Sequence, residues 1–435
     1  MPTDSAPRRR PETDRRAALS VRFKAVRAQT EAIAERLSAE DQQVQSMPDV
    51  SLTKWHLAHV TWFFETFVLK PHATGYAEFH PDYNYLFNSY YEAVGPRHAR
   101  PDRGLLTRPP LDDVMAYRAH VDTAMEALLD DAGDDTFSEL EDLIELGLHH
   151  EQQHQELALM DIKHVFSCNP MSPAYRRKEP AGVRDTHKLD WFEIAGGAYR
   201  IGSDNDGFAF DNEGPAHDVL VGDFAIASRP VTNGEFLEFV EDGGYREARF
   251  WHADGWAVVK EQGWDSPLYW RQAEDGGWDE FTFAGDCPLY RDAQVCHVSF
   301  YEAAADAAWA DKRLPTEEEW EIAARTLDCG ADSGNSANRL ESGFLRPMPA
   351  GAEAPARPAQ MMSDVWEWTQ SAYAPYPGFE AAAGAVGEYN GKFMINQMTL
   401  RGASCVTPPG HARISYRNFF YPHQRWAFSG IRLAA

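Results

Sequence analysis

The chain of 435 residues carries 41 Lys and Arg against 67 Asp and Glu, a net charge of −26, which excludes phosphate backbones and anionic lipid as default partners. Five cysteines without a C-x-x-C pair exclude a disulfide scaffold and a thiolate zinc site, and no run approaches the roughly 20 apolar residues of a membrane span. The length exceeds one ordinary core, so two or three domains are expected, in a chain expected to be cytoplasmic.

In chain order, residues 1–13 read as a disordered, solvated tail: the Arg-dense run RRRPETDRR at 8–16 contains proline, lacks interleaved aromatics and has no apolar stretch behind it. Helical periodicity then sets in over 14–39, 51–69, 111–132 and 136–166, segments rich in Ala, Leu and Glu and free of internal proline. Four such helices predict a bundle. The connection over 70–110 is too long for a simple turn and contains FHPDYNYLFNSYYEAVG; long ordered loops in compact domains often carry function.

The fourth helix is expected to open on the capping signature Thr136-Phe137-Ser138-Glu139. Steps of three and four from Leu140 pass through Leu143 or Ile144, Gly147, His150, His154 and Leu157, so two histidines continue an apolar stripe toward the bundle interior. Gly147 in mid-helix costs about 1 kcal/mol against Ala, which makes sense if something approaches the backbone there. His150-Glu151-Gln152-Gln153-His154 fits the H-E-x-x-H pattern of zinc peptidases, with Glu151 as their general base. Histidines at i and i+4 share a face and reach one ion. A third ligand is expected from the helix SLTKWHLAHVTWFFETF, which offers both His56 and His59, and periodicity does not choose between them. Three imidazoles without a carboxylate suit zinc or ferrous iron.

From about residue 189 the pattern changes to short β-like runs broken by Gly, Asp, Pro and Trp, with two evident short helices at 233–241 and 300–310. This predicts an irregular α+β domain, with the boundary between the two halves near 184–188.

The run SMPDVSLTKWHLAHVTWFFETFVL, the loop YLFNSYYEAVGPRHARPDRGLL and the helix HHEQQHQELALMDIKHVF resemble the DinB-type four-helix bundle of the ergothioneine-forming sulfoxide synthases (EgtB, hercynine oxygenases). GGAYRIGS, NEGPAHDVLV, RPVTNGEFLEFV, HVSFYEAAADAAWADKRLPTEEEWEIAAR, DVWEWTQSAY and RGASC resemble the formylglycine-generating-enzyme domain of the same proteins, itself related to C-type lectin folds. The resemblance implies a DinB-like bundle over 14–186 followed by a formylglycine-generating-enzyme-like domain over 187–435, acting as a substrate-binding lid.

It further implies an O2-dependent non-haem iron(II) enzyme that joins a thiol sulfur to C2 of the imidazole of hercynine (trimethylhistidine) and leaves a sulfoxide. The implied iron ligands are His59, His150 and His154. Gln153 would contact the hercynine ring. Tyr90 or Tyr91 would supply a proton or hydrogen bond that favours C–S bonding over plain thiol oxidation. Of Arg97, Arg100 and Arg103, the last two are the preferred carboxylate clamps for the thiol donor. Asn418 would bind hercynine's carboxylate, with Phe419 or Phe420 against its trimethylammonium. Phe420 stands where the γ-glutamylcysteine-using branch carries an acidic residue, so free cysteine is the expected donor. Only Cys405 lies near the RGASC motif, which argues against the paired-cysteine copper site of related oxidases. The rival readings are the same scaffold using γ-glutamylcysteine, a selenosugar or histidine, a zinc thiol transferase, and a non-catalytic lectin-like module.

Overall fold

The computed structural model describes residues 12–176, 185–204, 207–330 and 337–435. The expected tail lies outside these residues up to position 11, as does part of the 184–188 boundary. The chain divides into two compact units, the first reaching Ala158 and the second running Leu159–Ala435, with the division inside a helix.

The first unit is the predicted helical bundle. Its long helices are α1 (Glu12–Ala34), α2 (Thr53–Phe63), α5 (Leu111–Asp131) and α6 (Asp134–Ser167), and the loop between α2 and α5 holds the short helices α3 (Lys70–His72) and α4 (Tyr83–Phe87). Every residue of α2 is buried, Lys54, His56 and His59 included, so its sequence shows no single apolar stripe. A π-helical turn, Phe64–Leu69, joins α2 to α3. Glu65 in that turn anchors the following loop, accepting from Tyr76 Oη at 2.7 Å, Phe79 N at 3.0 Å and Tyr117 Oη at 2.6 Å.

One boundary expectation is corrected. The fourth helix starts at Asp134, so Thr136 is its third residue and not its cap. Asp134 and Asp135 occupy the first turn, where carboxylates complement the helix dipole, and they override the Thr136–Glu139 signature.

The second unit is the α+β domain. Its strands are β1 (Trp191–Ile194), β2 (Gly197–Ile201), β3 (His217–Val221), β4 (Phe224–Ala227), β5 (Trp270–Gln272), β6 (Trp278–Thr282), β7 (Gly285–Pro288), β8 (Trp366–Ala372), β9 (Met398–Gly402), β10 (Asn418–Phe420) and β11 (Ser429–Gly430). They form small sheets: β1–β4, β2–β3, β5–β6–β7 and the four-stranded β10–β9–β8–β11, antiparallel except for the β8–β11 pair. The helices that accompany them among the described residues are α7 (Asn233–Glu241), α8 (Ala253–Gln262), α9 (Phe300–Trp309), α10 (Glu317–Thr326) and the short α11 (Glu388–Gly391). The sequence expectation included only α7 and α9. The α10 helix was nonetheless announced by Thr316 and Glu319, which close a capping box of the kind that also starts α7 and α9.

Buried ion pairs tie α10 to the sheets. Arg417 grips Glu317 through two bonds of 2.8 Å, Arg401 binds Glu321, and Arg432 forks onto Glu367, which also accepts from Trp320 Nε1. The last turns of α6 belong to this unit: Lys163 Nζ donates to His297 Nε2 at 2.7 Å and Trp426 Nε1 to Asp161 at 3.1 Å. All five cysteines are free, and Cys296, Cys329 and Cys405 are buried.

Candidate metal centre

His150 and His154 sit on the inward face of α6, as the stripe predicts, and α2 brings His59 to meet them. One ring nitrogen of each lies within 4.8 Å of the others, the only such group among the described residues. The rings are 4.7 to 5.0 Å apart between centroids and exposed by 1%, 5% and 9% for His59, His150 and His154. Burial pushes all three pKa values down, His150 to about 4 and the other two well below the usual imidazole value. Neighbouring imidazoles and the Arg103 guanidinium add to the shift at His59 and His154. The rings are therefore neutral at pH 7, the protonation state that can ligate.

Second contacts orient two of them. His59 Nδ1 donates to the carbonyl of Phe87 at 2.6 Å, which leaves Nε2 with its lone pair. His154 Nδ1 faces His56 Nδ1 at 2.8 Å, while His150 Nδ1 has no hydrogen-bond partner among the described residues. Trp55 and Trp62 both stack on His59, at 4.5 and 5.5 Å. Buried neutral nitrogen donors with an unsatisfied ring nitrogen and no carboxylate among them fit a first-row divalent metal. His56, left open by periodicity, is thus a hydrogen-bond partner of the group and lies outside it.

Gly147, one turn before His150, answers the packing expectation. A Cβ there would come within 2.7 Å of the Phe64 ring and 2.9 Å of the Phe63 ring. Helix propensity alone predicts that Gly147→Ala stabilises by about 1 kcal/mol, but overpacking costs about 1 to 3 kcal/mol and these rings are buried. Urea denaturation is expected to show a net loss; a gain would mean the rings yield freely.

The low pKa values also set a pH dependence. A histidine depressed in the folded state binds its proton only on unfolding, so stability present above the unfolded value of about 6.5 is lost as pH falls toward the folded value. For His150 alone, shifted to about 4, this amounts to on the order of 3 kcal/mol. Metal-free protein is expected to lose stability between pH 6.5 and 4.5, with a shallower slope in His150→Ala. Equal slopes in the two proteins would contradict the neutral buried state.

Glu151 settles the peptidase question that spacing left open. Its carboxylate, 0% exposed, accepts from Arg27 Nη1 at 2.8 Å, Arg118 Nη2 at 3.2 Å and Thr30 Oγ1 at 2.7 Å. Burial would raise its pKa, but the two guanidinium groups outweigh that and hold it lowered. A carboxylate locked between arginines of α1 and α5 is a structural anion, not a base for water at the histidines.

The remaining candidates fall into separate places. Tyr90, Arg97, Arg100 and Arg103 line a cavity of about 510 Å³ together with Ser89 and Glu92. Arg100 donates to Tyr90 Oη at 3.0 Å and also to the Asp49 carbonyl; Arg97 pairs with Glu92. Arg103 is buried, donates to Ser51 Oγ at 2.7 Å and lies 3.3 Å over the Trp55 ring. Tyr91 points elsewhere, packing on Trp62 at 5.6 Å and Phe67 at 5.2 Å. Gln153 is half-buried on α6, three residues after His150. In the second unit, β10 carries Asn418, whose Oδ1 accepts from Phe419 N at 2.9 Å. Strand alternation puts Phe419 and Phe420 on opposite faces: Phe419 stacks on Tyr373 at 4.2 Å and Phe393 at 5.7 Å, Phe420 meets Trp426 edge-on at 5.8 Å.

Residues 22–158 match the DinB superfamily, and residues 180–435 match the Sulfatase-modifying factor enzyme 1-like domain. The chain is 34% identical over 417 residues to the hercynine oxygenase of Mycolicibacterium smegmatis, covering 90% of this chain and 92% of that protein. The chain belongs to the hercynine oxygenase family. It is an enzyme of the oxygenase class, with the helical and α+β halves expected of that family. The formylglycine-generating enzyme of Thermomonospora curvata is 39% identical over 150 residues, covering 30% of this chain and 47% of that enzyme. Ergothioneine biosynthesis protein 1 of Schizosaccharomyces pombe is 27% identical over 231 residues, covering 52% of this chain and 27% of its own length. Among the described residues, no helix of this hercynine oxygenase homologue is long and apolar enough to cross a membrane.

Proposed function

We propose that this chain is a non-haem iron(II) sulfoxide synthase of ergothioneine biosynthesis that joins the sulfur of cysteine to C2 of hercynine's imidazole. The observation that carries the reading is the buried cluster of three neutral imidazoles, set in a chain whose relatives are named hercynine oxygenases. His59, His150 and His154 would hold the iron, with residues 14–186 as the bundle that carries it and 187–435 as the formylglycine-generating-enzyme-like domain. Bound there, the metal supplies the redox capacity that dioxygen chemistry requires. The reaction balances as hercynine plus cysteine plus O2 giving hercynylcysteine sulfoxide plus water: one oxygen atom ends on sulfur, the other leaves with the C2 hydrogen and the thiol hydrogen.

The chain's own groups take the remaining tasks. Gln153 offers an amide to the hercynine ring. Arg100 and Arg103 supply planar donors for the cysteine carboxylate, supported by their place on a cavity large enough for an amino acid. Tyr90 accepts from Arg100 on the wall of the same cavity, whereas the Tyr91 phenol sits among rings beside Trp62; either would deliver the proton that favours C–S bonding. Asn418 donates to hercynine's carboxylate, and the ring of Phe419 or Phe420 faces the trimethylammonium. The apolar Phe420 in place of an acid supports cysteine over γ-glutamylcysteine.

The donor assignment is tested by initial rates at fixed hercynine with cysteine, γ-glutamylcysteine and a selenosugar in parallel. Cysteine is expected to be the fastest donor by kcat/KM; a higher value for either competitor overturns the assignment.

A further inference from the structure

One buried imidazole beside the triad has no role in the reading above. His56, on α2 and one turn before His59, is 3% exposed and sets its Nδ1 2.8 Å from Nδ1 of His154. Two ring nitrogens at that distance share one proton: two N–H groups would collide and two lone pairs would repel. If His56 carries the shared proton, His154 accepts at Nδ1, keeps its own proton on Nε2 and has no lone pair left for a metal. If His154 carries it, Nε2 is free to ligate.

Only the second arrangement lets His154 join His59 and His150. We propose that His56 is a positioning residue of the metal centre, an Nε2-protonated imidazole whose Nδ1 accepts the Nδ1 proton of His154 and so fixes that ligand's tautomer and ring orientation. The inference rests on the metal-centre reading and adds a side chain to it. For His59 the same task falls to a backbone group, the Phe87 carbonyl at 2.6 Å, and among the described residues His150 Nδ1 has no hydrogen-bond partner. His154 is therefore the ligand whose orientation is set by a replaceable side chain. Outer partners of ligating histidines are typically worth about 10- to 100-fold in metal affinity.

Two substitutions separate the acceptor from the packing. His56→Asn keeps an acceptor atom bonded to Cγ, where Nδ1 is bonded in histidine, while His56→Phe keeps the ring without the acceptor. Zn(II) and Co(II) affinities, measured by chelator competition, are expected to fall about 10- to 100-fold in His56→Phe, with an altered Co(II) visible band, and to return most of the way in His56→Asn. Equal losses in both variants, or an unchanged affinity in His56→Phe, overturn the proposal. A second measurement needs no variant: ring 15N resonances of Zn(II)-loaded wild-type protein are expected to show His56 protonated at Nε2 and bare at Nδ1. The opposite tautomer overturns the assignment. Wild-type protein that binds neither metal would overturn the metal-centre reading itself, a result distinct from a metal-binding protein indifferent to His56.

Discussion

Protein carrying His59→Ala, His150→Ala or His154→Ala is expected to lose stoichiometric iron and to lose O2-dependent product formation by more than about a hundredfold, beyond what an outer-shell partner alone contributes. The three rings are buried together and held neutral, so removing any one leaves two imidazoles where the proposed site needs three. The metal-free variants are expected to fold: an alanine in place of a buried neutral imidazole deletes volume but strands no charge. Metal analysis after anaerobic Fe(II) loading, with circular dichroism as the folding control, checks both halves. A folded His150→Ala protein with full iron would remove that residue from the site.

Glu151 is the opposite case, one letter further along the same helix. Glu151→Ala is expected to destabilise by about 3 to 5 kcal/mol, since it leaves Arg27 and Arg118 buried with less than their full counter-charge. Asp122, which also pairs with Arg27 at 2.7 Å, compensates in part. A zinc-peptidase base would behave otherwise, losing hydrolysis while stability stayed nearly constant. Chemical denaturation of metal-free Glu151→Ala and wild-type protein distinguishes them, and a difference under about 1 kcal/mol would contradict the structural role.

These two residues show what the sequence carried and where it stopped. The stripe from Leu140 through Ile144 and Gly147 to His150 and His154 was legible because α6 obeys one period over its whole length. Glu151 was ambiguous because its meaning depends on α1 and α5, whose arginines lie more than thirty positions away in sequence. Periodicity could not tell His56 from His59 because both lie on a helix buried all round; the family resemblance pointed to His59, and the partner atoms, His154 Nδ1 for one and the Phe87 carbonyl for the other, distinguish them physically. The π-helical turn at Phe64–Leu69 left no periodic trace, yet it accompanies the packing of both Phe63 and Phe64 on Gly147. The α10 helix went unread although its Thr316–Glu319 box was visible, because three successive glutamates and a short length mask its apolar face. Thr136 misled for the reverse reason, a good local signature outcompeted by two aspartates just upstream.

The most direct test is a turnover of Fe(II)-loaded protein with hercynine and cysteine under 18O2, read by mass spectrometry. The account predicts a hercynine–cysteine adduct carrying one heavy oxygen atom on sulfur, formed with matching O2 uptake. With stoichiometric iron in place, cystine or cysteine sulfinate as the sole oxidised product, or no O2 uptake at all, would contradict it.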